Sequence, residues 1–196
     1  DIEIINLELS LADLATVENR INRLKSKVKA KDKDAVAENT LLEKFKTTLE
    51  EGKLIRSLDL NDTEVKIAKG FHLLTFKPVL YIANMDEEGV MSPEENSYFN
   101  QVVEFAKAEG SDVIPICAKT EEDLMDLDEE DKQMFFEELN ITESGLDRVI
   151  RTAYTLLDLR TYFTAGEKEV RAWTFHAGAK APEAAGVIHS DFERGF

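Results

Sequence analysis

The sequence is short of nearly everything that marks a secreted, membrane-spanning or fibrous chain. It has one cysteine in 196 residues, so no disulfide framework can form within it, and a reducing compartment is expected. Its 4 prolines and 9 glycines are too few for a low-complexity or collagen-like chain. No uninterrupted apolar run approaches the roughly 20 residues of a membrane-spanning helix, so no membrane partner is expected. The opening residues, Asp1-Ile2-Glu3-Ile4-Ile5-Asn6, lack the basic region and apolar stretch of a signal peptide. A cytoplasmic location follows as the expectation. Basic residues are scarce, 24 Lys and Arg against 40 Asp and Glu, for a formal net charge of −16. That balance excludes a chain coating nucleic acid along its whole surface, and any such contact must come from a local basic patch. His72, His176 and His189 do not form metal-ligand spacing with Cys117. Neither a metal site nor a catalytic triad is expected.

What is present reads as a globular chain, 43% hydrophobic and 33% charged. Its length suits one large domain or one and a half. Leu7, Leu14, Ile21 and Val28 stand seven apart, with Val17 and Leu24 between them. That is the seam of a coiled coil. Leu42, Phe45 and Leu49 continue the rhythm after the polar link Ala30-Lys31-Asp32-Lys33-Asp34. Two helices with a short link predict an antiparallel hairpin over 7–52, ended by Gly52. Its tip carries Lys25, Lys27, Lys29, Lys31 and Lys33, with Arg20 and Arg23 lower down. Such a run is either a solvated helix end or a contact for an anionic partner such as RNA. Whether the seam pairs within the chain or between chains is open.

Asn61 with Glu64 predicts a capping box, and Gly70 a left-handed helix end. Pro78-Val79-Leu80-Tyr81-Ile82-Ala83 reads as a buried strand of a parallel sheet. Ser92-Pro93-Glu94-Glu95 predicts a helix start, with that helix running to Glu109 and Gly110. Asp112-Val113-Ile114-Pro115-Ile116-Cys117 is a second strand, completing a βαβ unit. Ligands in such sheets sit beyond the carboxyl ends of the strands, where Asn84 and Ala118 fall. An acidic stretch, 121–138, is anchored by Met134, Phe135, Phe136 and Leu139, and a further helix covers 143–159. Alternation over 161–164 and 169–175 predicts a β-hairpin. Trp173 is read as its core, with an RNA-stacking platform as the alternative, and Arg171 is placed on the opposite face.

The loop Asn84-Met85-Asp86-Glu87 lies where P-loop nucleotide hydrolases read the base with Asn-Lys-x-Asp, and Cys117-Ala118-Lys119 matches their Ser-Ala-Lys loop. With the segments Asp1-Ile2-Glu3-Ile4-Ile5-Asn6-Leu7-Glu8-Leu9, Thr161-Tyr162-Phe163-Thr164-Ala165-Gly166, Lys168-Glu169-Val170-Arg171-Ala172-Trp173-Thr174 and Ala181-Pro182-Glu183-Ala184-Ala185-Gly186-Val187-Ile188-His189-Ser190-Asp191-Phe192, the chain resembles the Obg-like ATPases, the YchF family of P-loop NTPases, over essentially its whole length.

The resemblance implies an α/β fold. Residues 1–160 would be the C-terminal part of a P-loop NTPase nucleotide-binding domain. The antiparallel coiled coil of 7–52 is its insertion and 78–120 its base-reading βαβ unit. Residues 161–196 would begin a β-grasp TGS domain. It implies a purine-nucleotide site at Asn84, Met85, Glu87, Cys117, Ala118 and Lys119, with the Ala118 N–H reaching the base. Glu87 in place of aspartate implies ATP, with GTP as the alternative, and Mg2+ in the full-length protein. Ribosome or RNA is the implied partner. Cys117 replaces the usual serine, which a backbone contact tolerates and which places a thiol at the site. No Gly-x-x-x-x-Gly-Lys-[Ser/Thr] motif occurs, and no magnesium-binding Asp-x-x-Gly loop is read. The 196 residues alone are therefore expected to be a fragment that does not hydrolyse ATP. The alternative is a non-catalytic ribosome-docking module built on the basic tip and the TGS segment.

Overall fold

A computed structural model describes residues 1–139 and 141–196. The side chains of Glu138 and Leu139 lie outside that description, and with them the anchor expected at Leu139. The chain divides into two compact units, Asp1–Pro78 and Val79–Phe196.

The first unit is a helical hairpin closed by a short third helix. Helix α1 spans Ile2–Lys29 and α2 spans Lys33–Glu50. Lys31 turns the chain between them at φ 59°, and the Asp32 carboxylate caps α2 by accepting from the Ala35 N–H at 2.9 Å. The seam is shorter than the heptad spacing predicts. Val17 is buried among Leu41, Leu42, Phe45 and Leu49, with Leu14, Ile21 and Leu24 half-buried beside them. Leu7 is 57% exposed. The 28 residues of α1 extend ~42 Å and the 18 of α2 only ~27 Å, so α2 ends before it reaches Leu7. A 3₁₀ turn at Ile55–Ser57 drops Ile55 into the core. Helix α3, Asp62–Lys69, starts on a complete Asn61/Glu64 capping box. Gly70 is right-handed, and the left-handed residue is His72 at φ 55°. Phe71, edge-on to Phe45 at 6.1 Å, and Leu73 complete the core. Fully burying each such side chain contributes about 1.5–3 kcal/mol.

A buried carboxylate fastens α1 to the segment after α3. Asp13 is 3% exposed. Its Oδ1 accepts from the Leu74 N–H at 2.9 Å, and its Oδ2 accepts from the Thr75 N–H and Thr75 Oγ1, each at 2.7 Å. Three donors satisfy the charge that burial would otherwise penalise.

The second unit holds two small sheets. Strands β1, Leu80–Asn84, and β2, Asp112–Ile116, are parallel, with Leu80 opposite Asp112 and Asn84 opposite Ile116. Strand β1 is not the buried strand that its apolar run predicts, since Ile82 is 49% exposed. The crossover opens with α4, Glu87–Met91, then a 3₁₀ turn at Pro93–Glu95. Helix α5, Ser97–Glu109, is capped by Asn96, whose Oδ1 accepts from Tyr98 and Phe99. The expected start at Ser92-Pro93 gives only the 3₁₀ turn, because the Asn96 cap lies four residues on. Gly110, at φ 73°, ends α5. The acidic stretch forms two helices, α6 at Ala118–Met125 and α7 at Glu129–Leu139. Met134 is 67% exposed and so anchors nothing. Helix α8 spans Gly145–Leu156. Strands β3, Leu159–Ala165, and β4, Val170–His176, form an antiparallel hairpin. Two short helices follow, α9 at Ala181–Gly186 and α10 at Ser190–Arg194. Arg171 does not lie opposite Trp173: residues two apart on a strand share a face, and its guanidinium stacks 4.2 Å over the indole.

Candidate nucleotide-base site

The parallel ladder brings two loops together. Beyond the strand pair it continues for one more hydrogen bond, from the Met85 N–H to the Ile116 carbonyl at 2.8 Å. Next, the Ala118 N–H donates to Asn84 Oδ1 at 3.1 Å. The Asn84 side chain thus braces the first turn of α6 against the end of β1. The Ala118 N–H, which the resemblance reserves for the base, is held by this brace.

The following residues divide two tasks. Asp86 Oδ1 accepts from the Gly89 N–H at 2.8 Å and caps α4. A Cβ at Gly89 would stand 2.7 Å from that oxygen, so glycine is what lets the cap close. Asp86-Glu87-Glu88-Gly89 does have the Asp-x-x-Gly spacing, contrary to the sequence reading, but its aspartate is committed to the helix cap. Glu87, the first residue of α4 and exposed, is left facing the loop. A cavity of about 530 Å³ is bounded by Asn84, Met85, Asp86, Glu87, Glu88, Cys117 and Lys119. That is within the size range of small-ligand sites. Met85 offers it a polarisable apolar surface, Glu87 a carboxylate acceptor and Lys119 a cation. Cys117 is 8% exposed, so its thiol is nearly closed to solvent. A second cavity, about 600 Å³, lies beside the first and shares Glu87 and Cys117 with it.

Sequence reasoning missed what holds the α6 end of this site. Glu121, one turn into α6, accepts from the Gly145 N–H at 2.7 Å and the Leu146 N–H at 3.0 Å. Arg148 donates to the Pro115 carbonyl at 2.8 Å. The signal available was Ser144-x-x-Asp147, a capping-box spacing. The Ser144 hydroxyl accepts from the Asp147 N–H at 3.0 Å.

The basic tip lies in the other unit. Lys25, Lys27, Lys29, Lys31 and Lys33 are all exposed. Arg20 does not join them. It bonds Glu38 Oε1 at 2.6 Å and the Gly70 carbonyl at 3.3 Å, and stacks 4.5 Å over Phe71. Among the described residues, no cluster of side chains could hold a metal ion, and no helix is long and apolar enough to cross a membrane.

Comparison with known proteins now bears on this geometry. Residues 159–196 match the family described as YchF-GTPase_C, protein of unknown function (DUF933). The chain is 55% identical over 196 residues to the Ribosome-binding ATPase YchF of Bacillus subtilis (strain 168), covering all of this chain and 54% of that protein. The chain belongs to the YchF family. The YchF protein of Escherichia coli O157:H7, also named a ribosome-binding ATPase, is 53% identical over 196 residues, which are 53% of its length. A solved YchF structure, that of the Schizosaccharomyces pombe YchF GTPase, matches the fold with a TM-score of 0.85 at 36% identity. The match covers all of this chain and 53% of that one. The chain therefore spans about half the length of the YchF proteins it matches.

Proposed function

We propose that this chain supplies the base-reading end of an adenine-nucleotide site in a ribosome-associated, cytoplasmic P-loop ATPase of the YchF type. In this reading residues 1–160 belong to the nucleotide-binding domain, with the 7–52 hairpin as its insertion and 78–120 as its base-reading unit. Residues from 161 open a TGS domain. The observation that carries it is the hydrogen bond from Ala118 to Asn84, which unites two loops 34 residues apart at the carboxyl ends of parallel strands. The neighbouring cavity and its residue types fit a purine: Met85 against the ring face, Glu87 at its polar edge, Cys117 and Lys119 closing the side. Guanine offers two adjacent N–H donors that suit a short aspartate, and the longer Glu87 spoils that pairing. Phosphates and Mg2+ are left to parts of the protein outside these residues, so the chain by itself is inactive.

Selectivity is the decisive measurement. In an intact protein carrying this chain, Glu87→Asp should shift the ATP-to-GTP affinity ratio at least tenfold toward GTP, read by competitive titration. An unchanged ratio removes Glu87 from the base site. A second reading, docking to the ribosome through the hairpin, is favoured by the five exposed lysines at its tip and by the ribosome-binding names of the relatives.

A further inference from the structure

We propose that Glu121 is a positioning residue for the base site, and that its clamp on α8 couples occupancy of that site to the β3–β4 hairpin. The inference rests on the base-site reading above. Both carboxylate oxygens of Glu121 are committed to the first two N–H groups of α8, where the helix dipole favours an anion. Ala118, whose N–H the Asn84 brace holds, lies three residues before Glu121 on the same helix. Arg148 fixes the other side by gripping Pro115, two residues before Cys117. The two contacts pin α8 to both flanks of the turn that carries Cys117-Ala118-Lys119. Glu87 belongs to the same neighbourhood, lining the larger cavity together with Glu121, Gly145 and Arg148.

Gly145 is built for the clamp. A Cβ there would stand 2.7 Å from Glu121 Oε1 and 3.1 Å from the Ile116 side chain, so any larger residue pushes the carboxylate away. The far end of α8 is no looser. Only Leu157 and Asp158 separate it from β3, and Asp158 is held at φ 54°. The Asp158 carbonyl accepts from the Ala177 N–H at 2.7 Å, just past β4. A ligand that steadies the Ala118 turn thereby steadies the clamp, and by linkage whatever holds the hairpin alters affinity at the turn by the same factor.

The test uses an intact protein carrying this chain, with ATP and Mg2+ as probe. Glu121→Gln keeps one acceptor but turns an amide NH2 toward the second N–H. It should weaken ATP binding about fivefold and raise KM in step, with less than a twofold change in kcat and no change in the ATP-to-GTP ratio. Gly145→Ala attacks the clamp from the other side and should match it. The double change Glu121→Gln, Gly145→Ala should be no worse than either single one, because both break the same contact. In the wild type, ATP should slow hydrogen exchange at the Gly145 and Leu146 amides and along β3, and Glu121→Gln should abolish that response. ATP affinity within twofold of wild type, with the exchange response intact, overturns the clamp, as does a lowered melting temperature with affinity unchanged. Asn84→Ala separates the two readings. If it leaves ATP binding untouched, the base site and the clamp fall together. If it weakens binding while Glu121→Gln does not, the clamp alone falls.

Discussion

The two units of the chain solve different problems. Among the described residues, the large apolar side chains that are fully buried, Phe45, Leu42, Ile55, Leu73 and Val17, all lie in Asp1–Pro78. The longer unit, Val79–Phe196, buries only Ala106, Ile114, Cys117 and Leu124 among its described apolar residues. Helices that pair along a seam bury a continuous apolar stripe; sheets of two strands are marginal by themselves. Yet the thinner unit holds the loops, the cavities and the clamp. The difference teaches that the packed core and the cavity-bearing loops lie in separate parts of this chain, and that a substitution's first effect depends on which part it touches.

The strongest challenge to that division is Asp13→Ala. It strands three donors, two of them backbone N–H groups, and should cost about 3 kcal/mol. Urea unfolding followed by far-UV circular dichroism should shift to lower denaturant. The fluorescence of Trp173, the single tryptophan, should keep its midpoint because it reports the other unit. If both signals move together, the units do not unfold separately and the contrast fails. A milder effect is expected at the tip. Changing Lys25, Lys27, Lys29, Lys31 and Lys33 to Glu should leave unfolding nearly unchanged and lower ribosome co-sedimentation of an intact protein about tenfold. Undiminished sedimentation would return the tip to plain solvation. The smallest effect concerns Glu64. Its pKa is lowered, chiefly by the Asn61 N–H it accepts and less by Lys44. A lowered folded-state pKa means the contribution is fully present above the unfolded value near about 4.3 and is lost as pH falls through the folded one. Glu64→Gln should therefore lower stability slightly at neutral pH, where the contribution is present, converge with the wild type below about pH 4.3, and so flatten the acid limb of unfolding. An unaltered acid limb would show that the capping box carries no net charge effect.

What could be read from the sequence was what its partners kept local. The Asn61/Glu64 box, the Gly110 cap and the β3–β4 hairpin each involve residues close in sequence, and pattern sufficed. The two loops at the carboxyl ends of β1 and β2 were legible because strand, loop and helix follow in a fixed order. The Asp13 staple was not, since its partners lie 61 and 62 residues away and an aspartate on a helix ordinarily reads as solvated. Glu121 was hidden likewise, inside a run of acidic residues that composition treats alike. The left-handed turn predicted at Gly70 belongs to His72, because glycine permits that conformation without requiring it. Helix length decided the rest: Leu7 obeys the heptad, but α2 is too short to cover it.

The Asn84 brace has one more chemical implication. An amide proton already spoken for has little to give an incoming carbonyl, whereas the carboxylate of Glu87 still seeks one. Any hydrogen for such a carbonyl must come from elsewhere in the cavity lining, where Lys119 is the cationic donor.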